Sequence, residues 1–432
     1  TLGSTTFICT DKTGTLTQNV MTVTRLWVDG QTVEVTGAGN DPRGEFLVQG
    51  TLVDLASYPG VSTPPWVGVL NNDAQLETNT ADGRVTFRII GDPTEGCILI
   101  AGAKAGIYRD ELNGAYPREK EIPFDSERKR FVTIHSVELP RDDDSSPFHD
   151  DSSVRWKSVV VKGGPDVVLE LCSRMQTLDD RVVELDDERR RQILAANDAM
   201  SSQALRVLGL AYRIVPEVAD EFTAHDVERD LTFVGLVGMI DPARAEVKPA
   251  LELARGAGIR TIMITGDHAA TARAIAESIS LLRPGHKVYS GAELDGMTDE
   301  KLAQEVKVAD VFARVSPEHK MRIVDALRSN DEVVAMTGDG VNDAPAIKRA
   351  DIGVAMGITG TDVSKQAAVM VLTDDNYVSI VSAIEQGRII YSNIRKFVYF
   401  LISCNMAEIA IIFIATLLGW PSPLTVIQLL WL

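Results

Sequence analysis

The chain has 432 residues, 45% of them hydrophobic, which is enough for more than one domain with sizeable cores. Its 43 basic and 61 acidic residues leave a formal charge of −18 with no basic stripe, so no nucleic-acid partner is expected. Cys9, Cys97, Cys172 and Cys404 form no CxxC pair and the six histidines are scattered, which points away from a zinc site or a disulfide framework and towards a reducing cytosolic setting.

In chain order the first element is a β-prone run, Thr5–Cys9, followed closely by Asp11-Lys12-Thr13-Gly14-Thr15-Leu16-Thr17. An acidic residue at the end of a strand sits where open α/β sheets gather their chemistry. A carboxylate there can attack the γ-phosphate of ATP and become an acyl phosphate. Lys12 adds positive charge near transferring oxygens, Thr13 and Thr15 offer hydroxyls and backbone groups, and Gly14 permits close approach. Residues 21–235 mix strand-like runs such as Val159-Val160-Val161 with helix-like ones such as 189–194, and read as an inserted domain. Within it, the acidic run 141–153 is expected to be a solvated loop between two strands.

From residue 236 to 378 strands and helices alternate, as a doubly wound parallel sheet requires. Ile259–Ile264 leads into Thr265-Gly266-Asp267 and a helix from His268; Val311–Val315 precedes a helix from Pro317; Glu332–Met336 leads into Thr337-Gly338-Asp339. Ile352–Met356 and Ala368–Leu372 complete the set. Asp11, Asp267 and Asp339 are therefore expected together at the carboxyl edge of one sheet. Val398–Trp420 is long and apolar enough to span a bilayer, and Arg388, Arg395 and Lys396 before it place its start on the cytoplasmic side. Gly419–Pro423 reads as a turn and 424–432 as the start of a returning span. Asn405 and Glu408, three apart, share a face of the first span, where an ionisable group marks function by default.

Asp11–Thr17, Thr265–Asp267, Lys320 and Thr337-Gly338-Asp339-Gly340-Val341-Asn342-Asp343-Ala344-Pro345 together resemble the P-type cation-transporting ATPases, nearly end to end. The resemblance implies an α/β phosphorylation domain of the haloacid-dehalogenase type, split into 1–20 and 236–378. It further implies an α+β nucleotide-binding domain at 21–235, a cytoplasmic stalk at 379–397, a transmembrane helix at 398–420 and the start of another at 424–432. The chain is then expected to be a piece of a larger membrane protein, with catalytic domains in the cytoplasm and the actuator domain and other membrane helices elsewhere.

ATP and Mg²⁺ are the implied cofactors. By the resemblance Asp11 is the nucleophile, and Mg²⁺ is held by Asp11, the Thr13 main-chain carbonyl and Asp339. Lys320 neutralises the phosphoryl group; Thr265 and Gly266, in one motif with Asp267, hold its oxygens; Asn342 and Asp343 bond around the site. Nucleotide signatures follow in order at Gly91–Glu95, Pro123–Arg130 and Lys162–Pro165, the last a KGAP-like motif with Gly164 in place of Ala, and around Arg206. Phe124 can stack on adenine, Lys129, Lys162 and Arg206 can meet base or phosphates, and Glu95 can accept from the adenine amine. Asp241-Pro242-Ala243-Arg244 resembles the family's DPPR hinge, with Ala243 replacing the second proline and Asp241 and Arg244 kept for a hinge and nucleotide-side role. No GxxxxGK[ST] loop occurs, which disfavours a P-loop ATPase.

The expected function is ATP-driven cation transport through an aspartyl phosphate. Asn405-x-x-Glu408 resembles the calcium-pump and sodium/potassium-pump branches, and a mixed amide and carboxylate set suits Ca²⁺ leaving the cytosol. Na⁺, K⁺ or Mg²⁺ are the alternative cargoes. A soluble haloacid-dehalogenase-type phosphatase is opposed by the insertion and the membrane helix, and a degenerate, non-enzymatic pump by intact Asp11, Lys320 and Asp339.

Overall fold

The computed structural model describes residues 2–37, 39–55, 57–81, 84–137, 156–219, 222–421 and 423. The expected acidic loop at 141–153, the start of a second span at 424–432 and part of the 419–423 turn lie outside the described residues. The fold is mixed α/β, with a parallel sheet, a largely antiparallel sheet and one long apolar C-terminal helix. The chain divides into two compact units: Thr1–Asp11 with Glu246–Ile264 and Arg283–Leu432, and Lys12–Ala245 with Thr265–Leu282.

The first unit is built on a sheet of seven described strands, ordered Lys287–Ser290, Ala309–Ala313, Arg260–Thr265, Phe7–Asp11, Val334–Gly338, Ile352–Met356 and Met370–Leu372. Phe7–Asp11 lies at its centre, parallel to Arg260–Thr265 on one side and Val334–Gly338 on the other. Phe7 through Thr10 are all buried, as a strand covered on both faces demands. Ala309–Ala313, Val334–Gly338 and Ile352–Met356 are buried along their whole length for the same reason. Phe312, Ile262, Ile264, Met336, Leu302 and Ile323 form part of its core.

Several strands are displaced from their sequence expectations, among them the first, Thr5–Cys9, which becomes Phe7–Asp11. Val311–Val315 becomes Ala309–Ala313, because Ala309 is fully buried and Arg314 turns to a φ of 51° that ends the strand. Glu332–Met336 becomes Val334–Gly338, after Asp331 at φ 61° delays the start. Ala368–Leu372 shortens to Met370–Leu372 because Ala368 caps the helix Asp362–Ala367.

The C-terminal helix runs unbroken from Tyr377 to Leu417. Its first turns bury Tyr377, Ile380, Val381 and Ile384, and Tyr377 Oη shares a 2.6 Å hydrogen bond with Thr261 Oγ1. Arg388 donates to the carbonyls of Gly3 (3.1 Å) and Ala257 (2.7 Å), fastening the helix to the unit. Beyond it Ile390, Phe397, Phe400 and Phe413 stand exposed, and the helix is long and apolar enough to cross a membrane. The expected stalk and most of the expected span at 398–420 fall on this one helix, which ends at Leu417, with no break between them.

In the second unit the main path of the sheet runs Thr51–Leu52, Phe46–Val48, Gln31–Val35, Thr22–Val28, Leu231–Ile240, Arg206–Val215, Trp156–Gly163, Arg130–Val137 and Arg118–Asp125. Leu231–Ile240 pairs with Thr22–Val28 and belongs wholly to this sheet. Period-two alternation decides what each face buries. Val160 joins Trp66, Leu70 and Ile98 of the helices Pro59–Leu70 and Pro93–Lys104. Val159 and Val161 join Val168 and Ile193 of the helices Pro165–Glu170 and Asp187–Ser202.

His135 is buried within this sheet. Its Nδ1–H donates to the Tyr116 carbonyl (3.0 Å) and its Nε2 accepts from the Thr133 hydroxyl (2.9 Å). Burial pushes its pKa from the ordinary 6.5 down to about 4. The unfolded chain therefore takes up a proton here that the folded chain refuses, so stability should drop as pH falls from 6.5 towards 4. The loss should reach at most about 3 kcal/mol. Urea unfolding at several pH values should show this slope, and a His135→Gln variant should flatten it; identical slopes would contradict the assignment.

Candidate active site

Asp11 ends the central strand, half-buried, and its N–H donates to Thr337 Oγ1 at 3.2 Å. The Thr337 hydroxyl reaches Thr10 Oγ1 at 3.3 Å, tying the two neighbouring strands at their carboxyl ends. Val334–Gly338 runs into the turn at Asp339 and Gly340 and then the short 3₁₀ helix Val341–Asp343. Asp343 is 4% exposed, and its Oδ2 accepts the N–H groups of Asp339 (3.2 Å) and Gly340 (3.0 Å). A Cβ at position 338 would lie 2.3 Å from Asp343 Cβ, so this approach requires Gly338. The Asp339 carbonyl accepts Thr361 N–H (2.8 Å) and Ser364 Oγ–H (3.0 Å), which fixes the loop from its other side.

Lys320 arises from the first turn of the helix Pro317–Arg328, whose start is set by the Ser316 cap and Pro317. The side chain is buried, and Nζ donates to Asp11 Oδ2 at 2.8 Å and Asp343 Oδ1 at 2.7 Å. Asp11, Asp339 and Asp343 each offer an oxygen within 4.8 Å of the others. Burial alone would depress the Lys320 ammonium, but the neighbouring Asp11 and Asp343 outweigh it and raise its pKa above the ordinary lysine value. Burial, and then the charges of Asp11 and Asp343, raise the pKa of Asp339. Three carboxylates thus face one ammonium, and hard oxygens with surplus negative charge suit a divalent cation. Asp343 has its oxygens engaged by Lys320 and two backbone N–H groups, which makes it an anchor for the loop. Asn342 stands exposed on the 3₁₀ turn.

The other unit holds a second group of expected site residues. Lys12 is buried and its Nζ meets Asp267 Oδ2 at 2.6 Å. Asp267 N–H donates to Thr265 Oγ1 at 3.1 Å, while Gly266 is exposed and Thr13 half-buried. Gly14 takes a φ of 74°, a left-handed turn that favours glycine. Asp241 and Arg244 close on this segment. Thr17 Oγ1 and Val20 N–H donate to Asp241 at 2.5 and 3.2 Å; Arg244 donates to the carbonyls of Thr17 (3.1 Å) and Gly14 (3.0 Å). The chain leaving at Thr17 and returning at Ala243 pairs backbone to backbone.

The nucleotide signatures converge on a cleft of about 510 Å³ lined by Glu95, Phe124, Lys129, Lys162, Gly164 and Arg206. Phe124 is 65% exposed, an apolar ring offered to solvent. Lys162 is buried, and its ammonium donates to Glu95 Oε1 (2.5 Å) and the Asn71 carbonyl (2.6 Å) and lies 5.1 Å from the Phe131 ring centroid. Burial lowers its pKa, with Glu95 opposing. Glu95 also accepts Asp73 N–H at 2.9 Å, so the acceptor expected for adenine is already engaged. Arg206 donates to Thr94 Oγ1 at 3.0 Å. Arg128 and Arg130 pair instead with the buried Glu228, and of that basic run Lys129 lines the cleft. Asp73 and Phe131 also line it without any motif in the sequence to announce them: one is a lone loop acid, the other an ordinary strand residue.

Residues 66–246 match the family described as P-type ATPase, cytoplasmic domain N. The chain is 44% identical over 431 residues to a calcium-transporting ATPase of Bacillus subtilis, covering all of this chain and 46% of that protein. It is 41% identical over 439 residues to cation-transporting ATPase pma1 of Synechocystis, covering 46% of it. It is 41% identical over 433 residues to human calcium-transporting ATPase type 2C member 1, covering 43% of it. The chain spans a little under half the length of these relatives. Along its whole length the chain is thus similar to part of these ATPases, and residues 66–246 match the cytoplasmic domain N of the P-type ATPases.

Proposed function

We propose that this chain is the catalytic part of an ATP-driven cation pump that works through a phosphoryl group carried on Asp11. The observation that carries this reading is the buried ammonium of Lys320 bridging Asp11 and Asp343, beside Asp339, at the end of the central parallel strand. A nucleophilic carboxylate at that edge of a doubly wound sheet supports a haloacid-dehalogenase-like phosphorylation domain formed from residues 1–20 and 236–378. The segment between them is the nucleotide-binding insertion.

In the reaction an ionised Asp11 oxygen attacks the γ-phosphorus of ATP, the bond to the β–γ bridging oxygen breaks, and ADP leaves. The neighbouring ammonium hydrogen-bonds Asp11 and opposes the charge of the phosphoryl oxygens. Lys12, Thr265, Gly266 and Asp267 belong by their motifs to the same task, and Asp343 and Asn342 to holding the loop. Asp11 and Asp339, with the Thr13 carbonyl, would hold Mg²⁺, which supplies positive charge to the phosphoryl oxygens when bound. The surplus negative charge among the three carboxylates supports that fit. Phe124 stacks on adenine, while Lys129, Lys162 and Arg206 surround the nucleotide and Glu95 orients Lys162. Asp241 and Arg244 act as the hinge clasp that joins the two crossings of the chain.

The exposed apolar part of the helix Tyr377–Leu417 lies in the bilayer, with Asn405 and Glu408 turned towards the transported ion and covered by the remaining membrane helices of the pump. Ca²⁺ is the cargo this reading favours, since an amide and a carboxylate one turn apart suit it and relatives from Bacillus subtilis and human bear the name calcium-transporting ATPase.

The full-length parent, given ATP, Mg²⁺ and the transported ion, should form an acid-stable, hydroxylamine-sensitive phosphoenzyme. Asp11→Asn should abolish it and leave nucleotide binding near normal; labelling that persists in Asp11→Asn would end the assignment.

Phe124→Ala should weaken ATP binding by about 1–3 kcal/mol, the worth of one lost base stack. Isothermal titration of the two proteins measures this, and equal affinities would remove Phe124 from the site.

Micromolar Ca²⁺ should trigger labelling from ATP, and Glu408→Gln should raise the Ca²⁺ required. Labelling driven by Na⁺ and indifferent to Ca²⁺ would change the cargo and leave the pump reading in place.

A further inference from the structure

The helix that carries Lys320 is held by a contact outside the site described above. His319, one residue earlier, is 8% exposed. Ser316 N–H donates to His319 Nδ1 at 3.1 Å and His319 N–H donates to Ser316 Oγ at 3.3 Å, a reciprocal cap with histidine in the place usually taken by Glu or Gln. A backbone N–H only donates, so Nδ1 is the bare nitrogen and the ring proton sits on Nε2. That proton faces Asp295 Oδ1 at 2.8 Å, at the end of the short helix Gly291–Asp295. One turn further on, Arg322 grips the same segment, donating to the carbonyls of Leu294 (3.0 Å) and Met297 (2.7 Å) and to Asp299 Oδ1 (3.0 Å). Lys320 lies between these two anchors. Its ammonium works at the end of a flexible four-carbon stem, so its placement depends on the backbone that launches it.

We propose that His319 is a positioning residue for Lys320: held between Ser316 N–H and Asp295, the imidazole sets the height and rotation of the helix's first turn and thereby the reach of the ammonium to Asp11 and Asp343. This rests on the phosphoryl-transfer reading of the site. Removing the imidazole leaves the Ser316 N–H without its acceptor and frees the first turn from the Gly291–Asp295 helix, while the nucleotide cleft in the other unit is untouched.

The test is rapid-quench measurement of phosphoenzyme formation by the full-length parent at saturating ATP, alongside ATP affinity by titration. His319→Ala should slow phosphorylation about tenfold with ATP affinity unchanged. His319→Gln, whose amide can both accept from Ser316 N–H and donate to Asp295, should return the rate to within about threefold of wild type. In a Lys320→Ala background His319→Ala should cause no further loss, because the effect passes through the ammonium; a merely structural role would add to it. Should His319→Ala fail to fold, Asp295→Ala, at an exposed helix end, should slow the step about threefold. A wild-type rate in a folded His319→Ala variant, or no rescue by Gln, would overturn the positioning role alone. Absence of any phosphoenzyme in the wild type would overturn the reading it rests on.

Discussion

The buried ammonium of Lys320 is the interaction on which the rest of the candidate active site depends. Asp11 ends one of two adjacent parallel strands, Asp339 follows the other and Asp343 closes the 3₁₀ turn after it, which brings three carboxylates into one small space. Carboxylates so close repel, and burial together with that repulsion raises the pKa of Asp339. One buried cation that hydrogen-bonds two of the three makes the arrangement tolerable, and the same contacts hold that cation charged. The surrounding devices all keep these few atoms in place. The Thr10–Thr337 bond ties the strand ends, Gly338 lets Asp343 fold back on its own strand, and the capped helix start aims Lys320 inward.

The nucleotide cleft follows a different logic. Its interior charges are satisfied by the protein itself: Lys162 by Glu95 and the Asn71 carbonyl, Arg206 by Thr94, and the neighbouring Arg128 and Arg130 by Glu228. Leaving any of these polar groups unpaired in a buried setting would be costly. What faces outward is the ring of Phe124 and the exposed Lys129, one apolar surface and one charge. A cleft with internally paired walls and an aromatic platform changes little when a ligand leaves, which suits the nucleotide role proposed for it.

Several parts of this architecture were legible along the chain. The doubly wound segment showed itself because fully buried strands read as short apolar runs, and the helix start at Pro317 by its capping chemistry. The strand bounds were less legible, since small residues such as Ala309 can be fully buried and a single left-handed residue such as Arg314 can end a strand. The long C-terminal helix was legible as an apolar span and as a basic stretch before it, but not as one continuous rod.

The sequence by itself determined which residue types the proposed chemistry can draw on. Phosphoryl transfer needs a carboxylate, a cation and oxygen ligands in short fixed runs, and the runs around Asp11, Asp267 and Asp339 spell them out locally. Only the tertiary structure decided the partnerships: that Lys320 reaches Asp11 across 309 positions of chain, that Glu95 is spent on Lys162, and that Arg128 and Arg130 turn away from the cleft to Glu228. The reason is physical. A motif is a property of neighbours along the backbone, whereas an ion pair is a property of neighbours in space, and those are set by the order in which strands far apart in the chain pair in the sheet.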